Sequence, residues 1–138
     1  MKVINWLDRL YSKLPGFGPE IKDFIIVILP YLSVATGILI TLSSILDIIG
    51  TPFISVFTLN NSSPLLQTLL LINVLGILQG ILMMAAFRGL KRKTYKGWRL
   101  IFWSQILWVT SALIATSPTF ILGLIFLYPL FQVRSNYR

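Results

Sequence analysis

The chain has 138 residues, of which 56% are apolar and 12% are charged, whereas about 25% of the residues in an ordinary soluble domain are charged. It carries 12 Lys and Arg against 4 Asp and Glu, with neither His nor Cys. This composition argues against a water-soluble globule and excludes disulfides, thiolate metal sites and histidine chemistry. We therefore expect a membrane protein that is not an enzyme and uses no cofactor or metal.

The N-terminal residues 1–14 alternate polar and apolar side chains at helical spacing. Trp6 and Tyr11 stand among Lys and Arg residues in this stretch. The pattern predicts an amphipathic interfacial helix that lies on the headgroup layer of a membrane. Residues 15–23 follow as a linker whose Pro and Gly residues let the chain turn into the bilayer.

Two long uncharged stretches predict the first two membrane spans. A spanning helix needs about 20 apolar residues, and residues 24–46 meet that length without a charge. The second span is predicted at residues 65–87, where Pro64 suits the first helical position after a Ser cap. Turn residues that include Gly50 and Pro52 predict a loop between the two spans.

The uncharged stretch 100–133 is too long for one crossing, since a helix of that length would run about 50 Å. Pro118 disfavours a continuous helix. The sequence therefore predicts a hairpin with one arm at residues 100–115 and the other at 119–133. A re-entrant pair that never reaches the far side is the alternative.

With four spans, every Lys and Arg of the chain falls on one side of the membrane. The positive-inside rule then predicts that both termini and the loop at residues 88–99 are cytoplasmic. We expect an all-α integral membrane four-helix bundle over residues 24–138. Its expected location is a cell membrane, the inner membrane of a bacterium.

Small and amide side chains predict where the first two spans pack together. Small residues let helix backbones approach closely in a bilayer, and an amide can hydrogen-bond across the contact. The predicted packing residues are Ser33, Gly37 and Thr41 of span one and Asn73, Gly76 and Gly80 of span two. The alternative is a polar lining for a solute path.

A polar path through the bundle would use Asp47, Asn73, Gln79 and Gln105. An intramembrane carboxylate suggests proton or cation coupling. However, Asp47 follows residue 24 by about 34 Å of helix. We therefore interpret Asp47 as a hydrated residue at the outer end of the first span.

The loop between spans two and three is strongly basic. Clusters of this kind attract anionic lipid, at about 1 kcal/mol per charge near the surface. Tyr95 and Trp98 fit the aromatic belt at the same membrane interface. Nucleic acid is not an expected partner. The predicted lipid-contact residues are Arg88, Lys91, Arg92, Lys93, Lys96 and Arg99.

Residues 96–102 (KGWRLIF) and 127–137 (LYPLFQVRSNY) resemble the corresponding stretches of uncharacterised small four-span bacterial integral membrane proteins. The resemblance covers the last third of the chain, implies the same four-span topology and transfers no functional residue. Pro129 departs from an otherwise continuous last helix. We expect a non-enzymatic accessory subunit or homo-oligomer, and the alternative is a small-solute or ion transporter or channel.

Overall fold

The computed structural model describes most of the chain. It describes the backbone at residues 15–58 and 64–137 and at Ile4, Trp6, Leu7 and Tyr11, and the side chains at these positions except 51–58 and 64–66.

Four α-helices account for nearly all of this part of the chain, and it contains no strand. They are α1 (Pro19–Thr58), α2 (Pro64–Lys91), α3 (Tyr95–Ile114) and α4 (Thr119–Gln132), and a short 3₁₀ turn (Arg134–Asn136) follows. The prediction of an all-α fold with four helices is confirmed. Within the described residues, two helical stretches are long and apolar enough to cross a membrane: Pro19–Gly50 of α1 (32 residues) and Gln67–Lys91 of α2 (25 residues). The helix α4 is shorter and also apolar.

The first helix is much longer than the predicted first span. It runs over 40 residues, about 60 Å at 1.5 Å per residue. The sequence places Gly50 and Pro52 in a loop, but both lie within α1. A single Gly or Pro inside a helix costs about 1 or 3 kcal/mol, and the helix continues through both.

The helices pack in chain order, each against the next. Extensive contacts among the described residues join α1 to α2, α2 to α3 and α3 to α4, whereas α1 and α4 are not joined in this way. Consecutive helices are antiparallel because short connections link them. The fold is therefore a curved row of four helices whose two outer members leave a cleft between them.

The connections after α2 and α3 have the same geometry. After α2, Lys93 adopts a left-handed conformation with φ 53, and the Thr94 amide donates to the Gly89 carbonyl. After α3, Thr116 has φ 49, and the Ser117 amide donates to the Ala112 carbonyl. This pattern is the Schellman motif, which satisfies helix-end carbonyls and usually has Gly at the left-handed position.

An aromatic cluster fills the basic end of the bundle. The Trp98 ring stacks on the rings of Tyr95 and Phe102 and meets the Phe131 ring edge-on, with centroids 5.5–5.6 Å apart. Trp98 and Phe102 are fully buried. The expectation that Trp98 belongs to an interfacial aromatic belt is therefore corrected, because its ring lies between α3 and α4.

The N-terminal segment packs against this cluster. Ile4, Leu7 and Tyr11 are buried in the same core, whereas Trp6 is 62% exposed. The Tyr11 hydroxyl donates a 3.0 Å hydrogen bond to the Leu124 carbonyl of α4. Ile4, Leu7 and Tyr11 thus point into the protein, whereas the prediction placed the apolar side of this segment on the headgroup layer. The other apolar residues of this segment, Val3, Leu10 and Leu14, lie outside the described residues.

Candidate functional site: a cleft between α1 and α4

The contact between α1 and α2 rests on three glycines. A Cβ atom at Gly37 would lie 2.8 Å from the Gly80 carbonyl oxygen, and one at Gly80 would lie 2.6 Å from the Gly37 carbonyl oxygen. A Cβ at Gly76 would overlap the Ser44 hydroxyl, and one at Gly80 would overlap the Thr41 hydroxyl. The two backbones therefore touch at Gly37 and Gly80, where only glycine fits, whereas the neighbour of Gly76 is a side chain.

The other predicted packing residues contribute less. Ser33 is buried, but its hydroxyl donates to the Pro30 carbonyl of its own helix at 2.7 Å. Asn73 is half-buried and makes no hydrogen bond to a described residue. Ser44 was not among the predicted packing residues, although Ser44 continues the spacing of Ser33, Gly37 and Thr41 by one more turn.

A cleft of about 580 Å³ opens between the outer helices. Its floor is formed by α2 and α3, and its walls are formed by α1 and α4. Most of its lining side chains are apolar. The lining residues are Phe24, Ile25, Ile28, Leu29, Leu32, Ser33, Thr36 and Ile40 of α1, Gln79 and Met83 of α2, Ile101, Gln105 and Trp108 of α3, and Phe126, Pro129 and Leu130 of α4.

Two amides provide the unused hydrogen-bonding capacity of this cleft. The Gln79 side chain is 5% exposed and has no hydrogen-bond partner among the described residues. The Oε1 atom of Gln105 is buried and likewise lacks a partner within that part of the chain. The hydroxyls of Ser33 and Thr36 instead donate to carbonyls of their own helix.

The two amides lie well inside the bundle along its axis. Gln79 precedes the exposed Arg88 by nine residues and Gln105 follows the exposed Arg99 by six, which gives about 14 Å and about 9 Å of helix rise. Both amides come from adjacent helices of the cleft floor. They form a polar spot within an apolar surface.

The structure does not join the four residues of the predicted polar path. Gln79 and Gln105 line the cleft, whereas Asp47 and Asn73 do not. Asp47 is exposed on a helix that continues to Thr58. Asp47 is therefore not at a helix end as the sequence suggests, because α1 extends through the predicted loop.

The six predicted lipid-contact residues lie together at one end of the bundle. The Schellman turn after α2 brings the ends of α2 and α3 side by side. All six side chains are exposed: Arg88, Lys91, Arg92, Lys93, Lys96 and Arg99. A Cβ at Gly89 would lie 2.5 Å from the Gly97 Cα. This close approach concentrates the cations on a small surface.

The described residues provide no cluster of side chains that could hold a metal ion. Within them, no group of three or more His, Cys, Asp or Glu side chains comes together. The chain matches no protein-family model, no curated protein and no solved structure. The cleft and the basic surface are thus interpreted from their own geometry.

Proposed function

We propose that this chain is a small multi-pass membrane protein that acts without catalysis, as an accessory subunit or as a homo-oligomer. The observation that carries the proposal is the outward face of α1. Large apolar side chains are exposed along this face, with Val27 and Leu39 at 66% and Leu46 at 67%. Large apolar surfaces are rare on soluble monomers, and this face of α1 suits contact with lipid or with another membrane helix.

The lengths of the helices support four spans. α3 has 20 residues, about 30 Å of rise, which equals the thickness of the hydrocarbon core. α4 has 14 residues, about 21 Å. A short last span is accommodated by local thinning of the bilayer, and a re-entrant α3–α4 hairpin is the competing arrangement.

The one-sided charge supports an orientation. The cations of the α2–α3 connection lie at the same end as the start of α1, because α1 and α2 are antiparallel. The positive-inside rule places that end in the cytoplasm. The same surface is proposed to contact anionic lipid of the cytoplasmic leaflet.

Single cysteines test the topology, and the chain has no native cysteine to interfere. Lys96 and Ala115 are both exposed, at opposite ends of α3. In intact cells, an impermeant maleimide should label Ala115→Cys, and it should label Lys96→Cys only after permeabilisation. Labelling of neither site, or of Lys96→Cys alone, from outside would contradict four spans with cytoplasmic termini.

Native mass spectrometry tests the accessory or oligomeric role. The chain should be released from a mild detergent micelle as a homo-oligomer or together with other subunits. Release of a bare monomer at every detergent concentration above the micelle threshold would contradict this role. It would leave the topology proposal intact, since the two experiments are independent.

A transporter or channel is the second candidate, and the amides of Gln79 and Gln105 favour it. These amides share one cleft, whereas Asp47 and Asn73 lie elsewhere. A solute path would need polar groups across the whole bilayer, whereas most of the side chains that line the cleft are apolar. Proteoliposomes should therefore stay tight to protons and small sugars, and flux that Gln79→Leu abolishes would favour the transporter instead.

A further inference from the structure

The cleft between α1 and α4 has the dimensions of a binding site for a chain-like molecule. It follows α1 from Phe24 to Ile40, about 24 Å of helix rise. Its volume of about 580 Å³ lies within the range of small-molecule sites. We propose that this cleft binds a neutral long-chain amphiphile whose hydroxyl group is held by Gln79 and Gln105.

The length and lining of the cleft suit one hydrocarbon chain. Carbon atoms in contact lie about 3.5–4.0 Å apart, so an extended hydrocarbon chain fits a narrow apolar channel. The apolar lining, which includes Leu29, Met83 and Phe126, matches such a chain.

The polar group of the ligand is uncharged because the cleft lining, within the described residues, includes no charged side chain. Burial of an unpaired charge costs far more than burial of a neutral polar group. A carboxylate or phosphate head would therefore be excluded at the depth of Gln79 and Gln105. The ligand is thereby distinguished from fatty acids and from phospholipids, whose ester groups lie nearer the headgroups.

The polar group is a hydroxyl because the amides need both a donor and an acceptor. The Oε1 atom of Gln105 is a buried acceptor that lacks a donor among the described residues. The Gln79 amide, also without a protein partner in that part of the chain, offers an N–H donor. One hydroxyl can donate to Gln105 and accept from Gln79, whereas bilayer acyl chains can do neither.

The test uses a photoactivatable hexadecanol that carries a diazirine in its chain, with the full-length protein in phosphatidylcholine nanodiscs. Crosslinks should map by mass spectrometry to the cleft-facing residues of α1 and α4. Unlabelled hexadecanol should compete, whereas hexadecane and palmitate should not. Equal labelling of the outward residues Val27 and Leu39 would show nonspecific lipid exposure and would overturn the proposal.

Matched Gln→Leu variants test the role of the amides. Gln79→Leu and Gln105→Leu should each lower the affinity for hexadecanol about tenfold, which corresponds to one hydrogen bond to a buried group. Gln67→Leu is the control, since Gln67 is exposed on the same helix as Gln79 and does not line the cleft. Unchanged competition in both cleft variants would contradict the site.

The site depends on the proposed membrane location but not on the accessory role. If the cysteine experiment rejects the four-span topology, the topology proposal fails while the Gln variants still test the cleft. If the topology holds and the Gln variants bind normally, the amphiphile site alone fails.

Discussion

The Trp98 indole Nε1 donates a 2.9 Å hydrogen bond to the Leu130 carbonyl oxygen. Leu130 lies in the last turn of α4, where carbonyl groups have no partner within the helix. The indole N–H thus satisfies a buried acceptor, and it joins the start of α3 to the end of α4. The guanidinium carbon of Arg134 lies 5.4 Å from the centroid of the same ring.

Trp98→Phe is expected to destabilise the protein. The change removes the N–H donor and leaves the Leu130 carbonyl buried without it, which costs about 1–3 kcal/mol. The smaller ring also leaves a gap beside Phe102 and Phe131. The measurement is the thermal unfolding midpoint in detergent, followed by circular dichroism.

Trp103→Phe is the matched control for this variant. Trp103 is 44% exposed and its indole makes no hydrogen bond to a described residue. Its replacement should shift the midpoint far less. Equal losses in the two variants would show that the Trp98–Leu130 hydrogen bond contributes no specific stability.

The burial of Trp98 illustrates what the sequence could not predict. A Trp beside Lys96 and Arg99 has the pattern of an interfacial residue, and only the packing of α4 against α3 covers its ring. The same holds for Tyr11, whose hydroxyl meets the Leu124 carbonyl over a long sequence separation. Local patterns do not encode which distant helix covers a side chain.

The glycine contact between α1 and α2 was predictable because its signal is local. Gly76 and Gly80 are one turn apart, so they share a helix face whatever the rest of the chain does. The cleft was not predictable, since it exists only because α1 and α4 are not brought together. Likewise, the sequence suggested a loop at Gly50 and Pro52, but neither residue ends α1.

Gly80→Ala is expected to lower stability at the α1–α2 contact. The new methyl would lie 2.6 Å from the Gly37 carbonyl oxygen and would overlap the Thr41 hydroxyl. Overpacking of this kind costs about 1–3 kcal/mol. The measurement is the unfolding midpoint and, for an oligomer, its elution volume in detergent.

The same substitution at Gly50 is the control, because a Cβ there meets no heavy atom of the described residues within 4 Å. Gly50→Ala should raise stability by up to about 1 kcal/mol, since Ala is the better helix former. A gain in both variants would show that the backbones of α1 and α2 are not in close contact at Gly80.

Thr116→Gly is expected to stabilise the turn between α3 and α4. Thr116 is a β-branched residue at φ 49, a left-handed conformation that costs about 1–2 kcal/mol for a residue with a Cβ. Glycine adopts it freely. The variant should unfold at a higher temperature, whereas Thr116→Ala, which keeps the Cβ, should gain little. Equal effects of the two changes would indicate that backbone conformation is not the cause.

The hydroxyl of Tyr137 provides a prediction about pH. Tyr137 is 4% exposed, and its hydroxyl has no hydrogen-bond partner among the described residues. Burial raises the pKa of Tyr137 from 10.0 to about 12. The unfolded chain therefore loses this proton first as the pH rises, so the folded state binds more protons between these two values, and its stability falls across that window.

Tyr137→Phe should remove this alkaline sensitivity and raise stability at neutral pH by about 1 kcal/mol, because the ring stays buried while a hydroxyl without a partner is removed. The measurement is the unfolding midpoint at neutral pH and at several values between pH 10 and about 12. The difference between variant and parent should widen with pH, since only the parent must keep a proton on the buried Tyr137 phenol. Tyr31→Phe, on an exposed tyrosine of α1, should parallel the parent throughout. A constant difference across the window would mean that the Tyr137 hydroxyl titrates alike in the folded and unfolded chain.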